Sequence, residues 1–468
     1  MNERVKKEIY IAYCVKFLVV FYVIFCFAAC ESDDDTHDVE KSKNGFWFIE
    51  DKGYIIEFTE GKDVLYTISS AGCAIMETDF KPEELGGLRI EQISTNELLG
   101  TSDLFVSEIK MSRLQNQNEL CLSGQIGNTE DPKVNFDYFW NIFNDYYAFF
   151  ERRNVNWSEF ENVRDQVTED NFYDIVEELV LQLKDGHVSV KDENKGVEIE
   201  PGFSNLVERL NEHLEEPYRI ESTEDYWDVL DGKMNVIAET YLKGEFNQNA
   251  EENMFWGLVT DQIGYVAILE MEDFGTSLEN ERIALNEVLD EMMNDFEKSG
   301  VSKLIIDVRA NGGGHDKISL DIASRFVNKE TVVGTKKAKL GEGFTEPQTI
   351  SISPKGSYQF TGEIALLTSP VTSSAAEIFT LAMKGLPYVN LIGENTNGIL
   401  SDELTHVLPN GARVVLSNEV YSDPEGIVFE AVGMGPEKEE NKVPFLSTLD
   451  FDNKIDSGIE RAIDLLGN

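Results

Sequence analysis

From about Gly45 to Gln125, apolar residues come in short runs. FWFIE, YIIEFTE, VLYTISS and LCLSGQI are rich in aromatic and β-branched residues, with Gly- and Asp-containing turns between them. That pattern predicts a small β-rich domain over 45–126. Around Asp131 the period changes. Phe136, Trp140, Phe143 and Tyr147 recur at helical spacing, and Ile175, Leu179 and Leu183 repeat the habit. They predict a helical segment over 132–200 whose aromatic stripe is core. It leads into LKDGHVSV, where Asp185-Gly186 signals a turn and Val188 to Val190 begins a strand. Residues 201–255 are charged and weakly patterned, and they read as an insert of no clear element type.

From Met254 the alternation sharpens. GYVAILEM and LIIDV read as buried strands, and between them SLENERIALNEVLDEMMNDFEKSG is an amphipathic helix closed by a glycine. RANGGG and a helical SLDIASRFV follow; EIALLTS is another strand, and VTSSAAEIFTLAMKG another helix. Strands alternating with helices predict an α/β core of layered strand–helix units over 256–447. DSGIERAIDLLG predicts a closing helix within 448–468.

Charge and the N-terminal composition change this picture in two ways. A formal charge of −47 excludes a nucleic-acid partner, whose phosphates require Lys and Arg, and a peripheral site on anionic lipid. The first residues place Arg4, Lys6 and Lys7 before an apolar stretch from about Phe17 and small residues up to Cys30, the order of an export signal. Ending in Ala28-Ala29-Cys30, the segment resembles a bacterial lipoprotein signal. That resemblance implies a signal peptide over 1–29, lipidation of Cys30, and an exported, membrane-anchored protein of the cell envelope. Residues 30–44 are acidic and lack a core-forming pattern, as expected of a flexible tether. In an oxidising compartment Cys73 and Cys121 are free either to pair or to remain buried thiols.

Three loops carry candidate chemistry. ANGGG follows a buried strand and precedes a helix, where glycines allow close approach of the backbone to a ligand. No GxGxxG and no Walker lysine follow, so an oxyanion-binding turn fits better than a nucleotide cradle. Ser374, three residues before Glu377, fits a helix capping box. A hydroxyl at that place also sits beside donors able to hold a developing oxyanion. Of the five histidines, His37 falls in the tether, His187 at a helix-to-strand junction, His315 beside the glycine loop and His406 in a predicted hairpin; His213 lies in the insert. No HExxH or paired Cys/His spacing occurs, so neither a metal nor a cofactor is expected.

LKDGHVSV, GYVAILEMEDFG, LIIDVRANGGG, TSSAAEIF, IGENTNG and YSDPEGIVFEAVGMGPE occur in an order that resembles the serine peptidases related to tricorn and the C-terminal-processing proteases, over roughly 132–447. The resemblance implies an α/β peptidase core and hydrolysis of peptides or proteins through an acyl-enzyme. It implies Ser374 as nucleophile, with Ser373 the alternative one residue earlier, and an oxyanion hole from the amides of Ala375 and Gly313. The lysine that C-terminal-processing members use falls at Ile399 here, so the tricorn-like set of His187 and Glu430 is implied instead, with Gly186 where tricorn has a serine. The interval before the core lacks the glycine-leucine loop of a PDZ module. A catalytically silent carrier of a hydrophobic small molecule or peptide, as in vertebrate retinoid carriers of this fold, is the alternative reading. Oligomeric state and cleavage preference are not encoded in any motif.

Overall fold

The computed structural model describes residues 43–115, 121, 129–200, 202–277 and 280–467. The leader, Cys30 and His37 lie outside them.

Seven strands form one antiparallel sheet in the order β4-β3-β2-β1-β7-β6-β5. They are β1 Gly45–Ile49, β2 Tyr54–Phe58, β3 Asp63–Ser69, β4 Gly72–Phe80, β5 Arg89–Ser94, β6 Glu97–Thr101 and β7 Ile109–Leu114. Cys73, at the start of β4, forms a disulfide with Cys121, their Cα atoms 5.0 Å apart. The LCLSGQI run falls almost wholly outside the described residues.

Helix α1, Pro132–Tyr146, starts at Asp131, whose carboxylate accepts the amides of Lys133 and Val134, with Pro132 in the first turn. Its apolar face, Phe136, Phe139, Phe143 and Tyr146, packs in one core with Trp47, Ile56 and Leu98 of the sheet. Helix α2, Phe172–Leu181, leads through the Asp185 turn to β8 Ser189–Asp192 and β9 Val197–Ile199. These two strands do not belong to a helical unit. β9 pairs with β8, and β8 pairs with a strand from late in the core, as described below, which ties residues 132–200 to it.

Residues 201–255 are helical over most of their length: α3 spans Gly202–Leu210 and α4 Thr223–Val236, before β10 Phe246–Gln248 and β11 Met254–Leu258. Strands β12 Ile263–Ile268 and β13 Lys303–Asp307 flank α5, Glu281–Ser299, which ends at Gly300 in the left-handed conformation. Helix α6, Asp316–Ala323, precedes β14 Thr331–Leu340, β15 Gly343–Phe344 and β16 Gln348–Ile352; β17 Glu363–Thr368, α7 Ala375–Lys384 and β18 Val389–Gly393 follow. The central sheet runs β10-β11-β12-β13-β17-β18, and β12, β13, β17 and β18 are parallel. Parallel strands connected by helices bury both faces, which explains their near-continuous apolar sequences. Leu285, Leu289, Ile318 and Phe379 from α5, α6 and α7 pack on one face. Ile459 and Ala462 pack on the other.

The hairpin β19 Glu403–Val407 and β20 Arg413–Ser417 extends into a sheet ordered β19-β20-β8-β9, and β21 Glu419–Ser422 pairs with β14. The chain closes with α8 Thr448–Asn453 and α9 Ser457–Gly467. Loops leaving the C-terminal ends of β13, β17 and β18 therefore lie side by side: the glycine loop, the segment before α7, and residues 394–401. Open α/β sheets offer ligand crevices at this end.

Candidate active site

Helix α7 begins at Ser374, but not as a capping box. Ser374 has φ 53° and ψ −127°, and its side chain makes no capping bond. A positive φ at a non-glycine residue costs about 1–3 kcal/mol and persists only where surrounding contacts impose it. Here those contacts are backbone bonds. The Ser374 amide donates to the Ile399 carbonyl (3.2 Å), and its own carbonyl accepts the amides of Glu377 (2.8 Å) and Ile378 (3.2 Å). Ser373 is different: it is buried, and its hydroxyl donates toward the Gly312 and Val371 carbonyls at 2.9 and 3.0 Å. Of the two adjacent serines, only Ser374 is half-buried with its hydroxyl free of a capping role.

Glu377, the other half of the expected box, faces elsewhere. Its carboxylate accepts the Thr396 hydroxyl (2.5 Å) and the amides of Gly398 (2.9 Å) and Ile399 (2.8 Å). Burial pushes its pKa up, against the pull of those donors and of the nearby His187. The next two amides, of Leu400 and Ser401, are held by Glu430 Oε2 at 2.7 and 3.1 Å. Two buried carboxylates thus fix four consecutive amides of the loop against which Ser374 rests.

The glycine loop approaches from the other side. At Gly313, with φ 120°, a Cβ would lie 2.7 Å from Ser374 Cβ, 3.0 Å from the Ser373 carbonyl oxygen and 3.3 Å from the Ala375 nitrogen, so no side chain fits. The Gly313 N–H donates to Asn311 Oδ1 at 2.7 Å, because the buried Asn311 closes its own turn, with its Nδ2 anchored on the Ile268 carbonyl. Ala375 is the first residue of α7, and the first amides of a helix have no partner within it.

His187 is 7% exposed, and its Nδ1 is buried without a hydrogen-bond partner among the described residues. Its amide donates to Asp185 Oδ1 at 3.0 Å, which sets the turn. The turn meets the same loop as Ser374, since a Cβ on Gly186 would come 3.0 Å from Ile399 Cδ1. Among the described residues, no hydrogen bond joins His187 to Ser374 or to Glu430. Both Glu430 oxygens are engaged, Oε2 by the loop amides and Oε1 by Arg153 Nη2 at 2.9 Å. Burial and the neighbouring Asp185 push the Glu430 carboxyl up to about 8, against the pull of Arg153.

Sequence reasoning missed Arg153, Asp185, Asn311 and Glu377. Arginine in ERRNVN reads as surface charge, and only its tertiary partners mark it. The remaining histidines sit apart: the His315 amide bonds the Met271 carbonyl at 2.9 Å. His406 is buried against the Lys52 carbonyl (3.0 Å), and burial lowers its pKa to about 4.

Residues 262–439 match the family model described as Peptidase family S41. A carboxyl-terminal-processing protease of a Picosynechococcus species is 24% identical over 206 residues, spanning 44% of this chain and 45% of its own. The tricorn protease of Thermoplasma acidophilum is 28% identical over 214 residues, 44% of this chain and 17% of its own. The chain thus spans less than half the length of the curated relatives it matches first. In fold, it is similar to a crystal structure of a candidate peptidase from Parabacteroides merdae, with TM-score 0.58 and 24% identity over 72% of this chain and 96% of that one. The similarity to peptidase family S41 thus covers residues 262–439, and His187 and Arg153 lie outside the matched residues.

Proposed function

We propose that the protein is a serine-type peptidase that cleaves peptides or proteins through an acyl-enzyme on Ser374. One observation supports this most: a serine held at positive φ at the head of a buried helix, its hydroxyl making no capping bond, against a glycine with no room for a Cβ. Strain of this kind clusters at functional sites.

In the proposed reaction, Ser374 Oγ attacks the substrate carbonyl carbon while its proton passes to a ring nitrogen of His187. The oxyanion that forms takes a hydrogen bond from the Ala375 amide. As the C–N bond breaks, the leaving amine takes the proton from the imidazolium. Water then repeats the sequence on the ester, returning Ser374 and releasing the acid. The Ser374–His187 bond is made when the carbonyl enters, as is common for bonds of this type that are open in an empty site. Glu430 acts on His187 through the field of its carboxylate rather than by a direct bond.

A fluorophosphonate probe tests the assignment. Wild-type protein should be labelled and hydrolyse labelled casein, and Ser373→Ala should retain labelling. Ser374→Ala and His187→Ala should each lose activity by on the order of 10⁴-fold. Labelling that survives in Ser374→Ala removes the nucleophile. A wild type that neither labels nor cleaves, and instead binds a fatty acid or retinoid, establishes the carrier reading.

A further inference from the structure

We propose that Arg153 is a positioning residue of this site, a clamp that binds the His187 turn, the loop under Ser374 and Glu430 into one unit. The proposal deepens the peptidase reading and rests on it.

Arg153 is not part of a regular helix or strand. It follows α1 in a short turn, its amide donating to the Phe149 carbonyl at 3.0 Å. Its side chain is only 7% exposed, and its guanidinium meets three separate segments. Nη1 donates to the carbonyls of Lys184 (2.6 Å) and Leu183 (3.5 Å), just before the His187 turn. Nε lies 3.2 Å from Asp185 Oδ2, the carboxylate whose other oxygen holds the His187 amide. Nη2 donates to Glu430 Oε1 (2.9 Å) and to the Gly398 carbonyl (3.4 Å). No other side chain among the described residues is recorded bonding all three segments. A planar fork with five N–H donors suits this task, and an ammonium group on a flexible stem does not.

The placement has an electrostatic consequence. Glu430 faces Asp185 and Glu377, both negative when ionised, with Arg153 the one cation that acts strongly on its carboxyl. Arg152 reaches only the Glu430 carbonyl, at 3.5 Å. Tyr147 donates to Asp185 Oδ2 at 2.8 Å and adds no positive charge. His187 acts on the neighbouring Glu377. Without Arg153, three buried carboxylates face one imidazole, and Glu430 ionises only at higher pH than in the intact site. A negative Glu430 stabilises the imidazolium formed as Ser374 attacks, so the clamp supplies both geometry and charge.

The test uses the full chain and measures the rate of fluorophosphonate labelling and casein cleavage from pH 6 to 10, together with thermal unfolding. Arg153→Met should lower kcat by about 10- to 100-fold, the scale of a misplaced catalytic group, with KM changed little. The rising limb of its pH profile should move to higher pH. Arg153→Lys keeps the charge and loses the fork, so it should restore the pH limb while leaving kcat reduced. Should Arg153→Met not fold, the lysine variant carries the test alone: reduced kcat with an unmoved limb supports the clamp, and wild-type kcat overturns it. Wild-type rates and pH profile per folded molecule in Arg153→Met also overturn it. A wild type that takes no label overturns the peptidase reading, and this proposal with it.

Discussion

Two buried clusters in this protein are each centred on an arginine, and they shift a buried carboxyl in opposite directions. Around Arg309, the guanidinium grips Asp307 with two bonds of 2.9 and 2.6 Å and reaches Asp456 at 3.0 Å; Lys233 joins Asp450 at 2.9 Å and Asp456 at 3.0 Å. Around Arg153, one cation serves Asp185 and Glu430, with Glu377 close by. Asp456 and Glu430 are equally buried, at 0% and 1% exposure. Burial pushes both carboxyls up. At Asp456, Arg309 and Lys233 overcome it and hold the group well below the usual range. At Glu430 the adjacent carboxylates reinforce it, and the group rises to about 8. Burial alone does not separate a structural ion cluster from a reactive one; the balance of charges facing each carboxyl does. The first cluster locks α4 and the C-terminal helices onto the C-terminal end of β13. The second contains the turn of His187, whose Nδ1 has no hydrogen-bond partner among the described residues.

The comparison predicts a stability gap between the two. Asp456→Asn removes the shared anion of two buried cations and should destabilise the core by about 3–5 kcal/mol, read from denaturant midpoints. A loss below about 1 kcal/mol would break the contrast.

The pH dependence of unfolding should differ in direction. Glu430 lies above its ordinary 4.5 in the folded state. Between about 4.5 and 8 the unfolded chain therefore binds fewer protons, and Glu430 makes stability fall as pH rises through that window. Glu430→Gln should flatten this fall, so its unfolding temperature should improve relative to wild type from pH 5 to 9. Asp456 is depressed below its ordinary 3.8, so its contribution is present above that pH and lost as pH falls through the folded value. Parallel slopes for the two variants would sink the argument.

The smallest stability effect should come from His187→Gln. Its Nδ1 makes no bond to lose, so the cost should be about 1 kcal/mol or less, while labelling at Ser374 disappears.

Much of the fold was legible where one face of an element is apolar. The runs at 45–69, the α5 helix with its closing Gly300, the LIIDV and EIALLTS strands and the hairpin holding His406 all appear in the structure near their expected places. Residues 201–255 were not legible. Helices α3 and α4 carry charged residues on most turns, and Lys233, which reads as solvated, is buried against Asp450 and Asp456. The start of β8 is legible at Val188 to Val190, but its partner β20 lies more than 200 residues later, so the pairing is not. At the site, sequence order brought out Ser374, His187 and Glu430 as candidates, yet the capping-box reading of Ser374 and Glu377 was equally consistent with it. Only the backbone conformation and the partners of Glu377 separate the two.

What the sequence by itself determined was local: the periods of its strands and helices, the turns at Asp185-Gly186 and ANGGG, and the small-residue entry to α7. These follow from steric and solvation preferences within a few residues. What only the tertiary structure decided was which side chains share a cleft and what charge each one sees. That Arg153 faces Glu430, that Gly313 packs against Ser374, and that Cys73 meets Cys121 are outcomes of long-range packing. Electrostatic energy and hydrogen bonding depend on distance in space, and distance along the chain does not report it.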